Sequence, residues 1–131
     1  MTEFENNAYF WQKVDTLFLS SNLIISRHKG DTHPTFRNMT YPVEYGHLDD
    51  TLGTGTEGLS VYVGSDTPGK VTAVVIAADI LMKTIDIKLL TACTEKEVYE
   101  VLRFLNQTDF QKTVLIRRGN HIPSWGLSDN G

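Results

Sequence analysis

Short apolar runs broken at close intervals by turn residues dominate the middle of this chain, and few architectures accommodate them. Residues 23–25, 59–63, 70–77, 86–90 and 114–116 are each too short for a typical helix, and the run at 70–77 is strongly β-branched. Ser65-Asp66-Thr67-Pro68-Gly69 makes a turn between two of them, and the polar stretch 29–38, with Gly30 and Pro34, reads as a loop. Helical spacing belongs to two other segments. Phe4, Ala8, Trp11 and Val14, with Leu17 or Phe18, recur behind a Thr2/Glu5 capping box, and the pattern stops near Ser20-Ser21-Asn22. Thr94 with Glu97 forms a second box, ahead of an apolar face of Val98, Val101, Leu102 and Leu105. This order predicts a small α+β domain, a strongly bent sheet or barrel with an N-terminal and a C-terminal helix packed on it.

A chain of 131 residues suits a single core. The expected unit is residues 1–118, followed by a polar tail at 119–131 in which Ile122 and Trp125 are the side chains able to dock. The formal charge of −4 argues against a nucleic-acid partner, which would call for a basic excess. The apolar stretch 71–82 is too short to span a bilayer, and the acidic N-terminus lacks the pattern of a signal peptide, so the cytoplasm is the expected location. Cys93 has no partner for an internal disulfide and reads as a small buried hydrophobe.

The segment Tyr41-Pro42-Val43-Glu44-Tyr45-Gly46-His47-Leu48, closed by Leu59-Ser60-Val61-Tyr62-Val63, resembles the signature of soluble inorganic pyrophosphatases. In that family a Tyr-Pro-x-x-Tyr-Gly turn precedes an Asp-rich metal loop and a strand. The resemblance covers residues 23–93 and extends to Ser26-Arg27-His28-Lys29-Gly30-Asp31-Thr32-His33-Pro34-Thr35, where Lys29, Gly30, Thr32, His33 and Pro34 match a short branch of the family. It implies an OB-like small β-barrel and Mg²⁺-dependent hydrolysis of pyrophosphate or another phosphorylated small molecule. It further implies phosphate contacts from Lys29, Tyr41, Tyr45 and Lys88, with Asp86 and Lys88 at the chemistry.

The metal loop departs from the pattern. The family's aspartates align with Gly55, Glu57 and Ser60, and the acidic positions of a later hairpin align with Thr84 and Asp86, ahead of Lys88. Glu57 and Asp86 are the ligands that remain, so the resemblance implies weak Mg²⁺ binding completed by substrate oxygens. The acidic position before the lysine loop is Ser26, and a basic phosphate position is Thr35. The expected function is therefore diminished phosphoanhydride hydrolysis; the alternative is a non-catalytic descendant that binds a phosphorylated ligand or a protein partner. The aromatic N-terminal helix also leaves a homo-oligomer open.

Other features have plainer readings. Asp49, Asp50 and Glu44 read either as a solvated acidic turn or as replacement ligands, and Asp79 as a structural hydrogen-bonding carboxylate. His33 reads as a solvated loop residue or a phosphate contact, and Arg117-Arg118 as solvated or as charge for the same pocket. The glycine pattern at residues 53–58 precedes a strand instead of a helix, so it is a turn and not a dinucleotide fingerprint. The histidines lack zinc-ligand spacing.

Overall fold

Asn7 opens the first helix. The computed structural model describes residues 6–53 and 57–119. Helix α1 runs Ala8–Leu19, with the Asn7 side chain accepting from Phe10 N at 3.0 Å. The expected Thr2/Glu5 box and Phe4 lie outside the described residues, as do Ile122 and Trp125. The helix stops at Ser20, inside the segment where its pattern ends.

Helix α2, Glu95–Leu105, starts as its sequence predicts, with Thr94 and Glu97 bonding each other's backbone. The Glu97 carboxylate also accepts from Ser65 N and Oγ, which ties α2 to the turn at residues 64–66. Burial opposes the charge on Glu97, yet the hydrogen bonds from Thr94 and Ser65 outweigh it and hold the carboxyl below its ordinary value. A depressed folded pKa adds stability that is fully present above the unfolded value near 4.5 and is lost as pH falls through the folded one. Glu97→Gln should therefore flatten the acid limb of a plot of urea midpoint against pH, while lowering the midpoint at neutral pH.

The strands are β1 Leu23–Arg27, β2 Glu44–Leu48, β3 Leu59–Val63, β4 Val71–Asp79, β5 Thr84–Thr91 and β6 Gln111–Arg117. They form one sheet in the order β1-β2-β3-β5-β4-β6, antiparallel throughout except where β3 meets β5. This is an α+β architecture with a mixed sheet. The expected barrel is not formed: β1 and β6 stand at the two edges, and α2 fills the face that closure would have given to strand side chains.

The tyrosine motif also differs from expectation, since residues 44–48 form β2 where a turn was predicted. Gly46 is the reason a breaker residue sits inside a strand. A Cβ there would lie 2.1 Å from Ile24 O, so glycine alone lets β1 approach, and β1 then shifts register between Ile25 and Arg27.

Both sheet faces are covered in part. Val98, Val101 and Leu105 of α2 bury against Tyr62, Val75 and Leu90 on one face. Each such aliphatic side chain contributes about 1.5–3 kcal/mol, so packing holds α2 more than its cap, worth about 1 kcal/mol. On the other face Trp11 of α1 packs with Leu48, Val61, Val74 and Leu89. Arg118 joins the chain's end to α1: its Nη1 and Nη2 donate to Asp15 Oδ1 and Oδ2 at 2.9 and 2.6 Å, with Asp15 fully buried. Its guanidinium also lies over the Trp11 ring. Among the described residues no helix is long and apolar enough to cross a membrane.

Candidate functional site

Strand alternation brings the distinctive polar side chains to one face. Tyr45 and His47 of β2 stand opposite Tyr62 and Ser60 of β3, and Ser60 stands opposite Lys88 of β5. Asp86 precedes Lys88 by two residues and so shares that face. Helix α2 covers Tyr62 and Leu90 but not Ser60, Asp86 or Lys88, which line an open cavity of about 340 Å³ with Tyr45, His47 and Glu57.

Lys88 Nζ lies 3.2 Å from Asp86 Oδ2, with the lysine side chain only 12% exposed. Asp86 Oδ1 accepts from Ile87 N, so both carboxylate oxygens already have partners. Tyr45 Oη and Ser60 Oγ are 3.1 Å apart. Glu57 is largely exposed, and its Oε1 is 3.9 Å from His47 Nδ1, a buried nitrogen with no hydrogen bond.

A second, more enclosed cavity of about 210 Å³ shares Tyr45 and Lys88 as walls and continues past Tyr41, Phe36 and Phe104. The His33 ring stacks on Tyr41, and its Nδ1 accepts from Thr35 N and Phe36 N. That nitrogen is committed to holding its own loop. Burial lowers the His33 pKa and the nearby Arg27 charge lowers it further, so the ring is neutral at pH 7. Burial raises the Tyr41 phenol, Tyr45 adds to the rise, and the Arg27 guanidinium offsets part of it by charge and hydrogen bond. Tyr62 is raised well above its ordinary value by burial. Tyr41 and Tyr62 therefore keep their protons and can donate hydrogen bonds to an anion.

Of the residues singled out from sequence, Tyr41, Tyr45, Lys88, Asp86 and Glu57 surround these adjoining cavities. Lys29 does not. It is exposed on a separate groove beyond Tyr41, beside Pro42 and Arg103. Arg27 was missed: the bulge in β1 sets it opposite Tyr45, with its guanidinium bonded to the Tyr41 hydroxyl. His47 was missed as well. The usable signal for His47 was alternation along β2, hidden once β2 was read as a turn; Arg27 left none, because the bulge in β1 breaks the alternation there.

The proposed replacement ligands lie elsewhere. Asp49 and Asp50 accept from Asn22 and brace the α1–β1 junction, and Glu44 pairs with His28 at 3.1 Å. Asp79 accepts from Leu81 N and Met82 N, the structural role expected of it. Of the arginine pair, Arg117 is exposed in a surface ion pair with Glu95, as its solvated alternative has it, whereas Arg118 is buried on Asp15 and fits neither alternative. Cys93 is buried, and burial with the Glu97 charge pushes its thiol up to about 12, which leaves it unreactive. Gly55 lies outside the described residues.

Among the described residues no group of three or more His, Cys, Asp or Glu side chains is placed to hold a metal ion. A resident Mg²⁺ cluster does not fit this arrangement: Glu57 is solvated, and Asp86 is engaged by Lys88. The arrangement can instead donate several hydrogen bonds and positive charge to an oxyanion.

No family model matches the chain, and no curated protein does. Among solved structures it is similar to an inorganic phosphatase from Anaplasma phagocytophilum, with a TM-score of 0.49 and 13% identity over 72% of this chain and 81% of that one. It is also similar to an inorganic pyrophosphatase from Helicobacter pylori, with a TM-score of 0.45 and 15% identity over 71% of this chain and 78% of that one. At those values the likeness assigns no residue a role.

Proposed function

We propose that this chain binds a phosphoanhydride in the cavity walled by Tyr45 and Lys88 and hydrolyses it slowly, as a divergent inorganic-pyrophosphatase-like protein. The supporting observation is the convergence of Tyr41, Tyr45 and Lys88 on adjoining cavities at the uncovered part of one sheet face, with the Arg27 guanidinium bonded to the Tyr41 hydroxyl. The tyrosine motif points the same way. Cations neutralise phosphate charge, and phenols donate to its oxygens.

Magnesium enters as part of the substrate, a metal–phosphate complex whose ion meets Asp86 and Glu57 on the cavity wall. Hydrolysis would be slow because, among the described residues, no converging set of carboxylates is placed to prepare a hydroxide. The Lys88–Asp86 contact favours a second reading, binding without turnover, since it engages the better-placed carboxylate.

Calorimetry and a phosphate-release assay test this. Mg²⁺ alone should bind weakly, and pyrophosphate with Mg²⁺ should bind measurably. Lys88→Met should weaken pyrophosphate at least about tenfold, the loss expected for one charged hydrogen bond. Tight binding of several Mg²⁺ ions without phosphate would overturn the metal assignment. Undiminished pyrophosphate affinity in Lys88→Met would overturn the site.

A further inference from the structure

We infer that the ligand is a nucleoside diphosphate whose base carries an exocyclic amino group, with its phosphates at Tyr45 and Lys88 and its base in the enclosed aromatic cavity. The inference rests on the phosphate reading above and adds the ligand's other half.

The cavity's shape is the first ground. Packed cores leave few voids larger than a water molecule, yet here Phe36, Tyr41, Phe104 and Phe110 stand around a space of about 210 Å³. Phe36 and Phe110 are partly exposed and lie 5.8 Å apart between ring centroids, so they line an opening and are not themselves sealed in the core. Aromatic faces beside a phosphate-binding cation suit a flat heterocycle tethered to phosphate.

The polar end of the cavity supplies the second ground. Asp79 and Gln111 line it, side by side in the β4–β6 register. Asp79 uses Oδ1 on backbone donors, and Gln111 uses Nε2 on Leu105 O. Asp79 retains Oδ2 as an acceptor, and Gln111 retains Oε1 as an acceptor beside the second N–H of its amide. Acceptors select a donor, and the amino groups of adenine and cytosine are donors where the matching position of uracil is an acceptor.

Charge is the third ground. Among the described residues Lys88 is the cation that lines the two cavities, and Asp86, Glu57 and Asp79 line them with it, so the site offers no net positive charge to free pyrophosphate. Stacking supplies attraction that the depleted metal site does not.

The full-length chain is titrated calorimetrically with adenosine diphosphate, uridine diphosphate and pyrophosphate, each with Mg²⁺. Adenosine diphosphate should bind at least about tenfold tighter than either of the others. Phe36→Leu, a change in a partly exposed loop, should abolish that advantage, with folding checked by circular dichroism. Equal affinity for adenosine and uridine diphosphates, or for adenosine diphosphate and pyrophosphate, overturns the inference and leaves the phosphate site standing. If none of the three binds, the phosphate site falls and this inference falls with it.

Discussion

Asp15→Asn should destabilise the protein by about 3–5 kcal/mol, the loss expected when one partner of a buried ion pair is removed. Asp15 is fully buried and receives both terminal nitrogens of Arg118, while Val71 N donates to its Oδ1 at 3.3 Å. The asparagine keeps the shape and removes the charge, so the buried guanidinium loses this carboxylate while it keeps its place over Trp11 and its bond to the Val71 carbonyl. Urea unfolding at neutral pH reads the loss directly. Replacing both partners, Asp15→Leu with Arg118→Met, should recover much of it, because no buried charge then remains. A single variant within about 1 kcal/mol of the parent would mean that water reaches this pair.

Restoring the missing carboxylates should raise phosphate release from pyrophosphate on the order of a hundredfold, and only when they are restored together. The changes are Gly55→Asp, Ser60→Asp and Thr84→Asp. Ser60 stands in the sheet between His47 and Lys88, and Thr84 shares the face of Asp86, so both new carboxylates would point toward the existing ones. A single added carboxylate repels Asp86 or Glu57 and completes nothing. Without Mg²⁺ the triple variant should also unfold more readily, since like charges then converge on one cleft. Phosphate release is measured for parent, single and triple variants as Mg²⁺ is varied. An inert, folded triple variant would overturn the hydrolytic reading and favour binding without turnover.

Local chemistry was the legible part of this sequence. The Thr94/Glu97 box, the turn at residues 65–69 and the β-branched run of β4 are each decided by neighbours a few residues away, and each lies where the sequence placed it. What depended on distant partners was misread. Gly46 signals a break unless one knows that Ile24 O passes against it, so β2 was taken for a turn. Arg27 reaches the site only through a bulge, and Arg118 is buried only because Asp15 waits more than a hundred residues earlier. The α+β class was legible, but closure of the sheet was inferred from a family pattern that β1 and β6 do not complete. In the site, residue types were visible and mutual placement was not: Lys29 has the right chemistry and the wrong groove.

The seam between β3 and β5 has a consequence for how the molecule assembles. On one side lies a meander of β1, β2 and β3, and on the other the block β5-β4-β6, in which β6 returns to β4 past α2. The seam alone is parallel, and it is the one pairing that joins the two halves of the sheet. Tyr45, His47 and Ser60 belong to the first half, and Asp86 and Lys88 to the second. Neither half carries the proposed phosphate pocket by itself. In refolding, a phosphate ligand should therefore be captured only once the β3–β5 seam has formed, and capture before that pairing would show that one half binds alone.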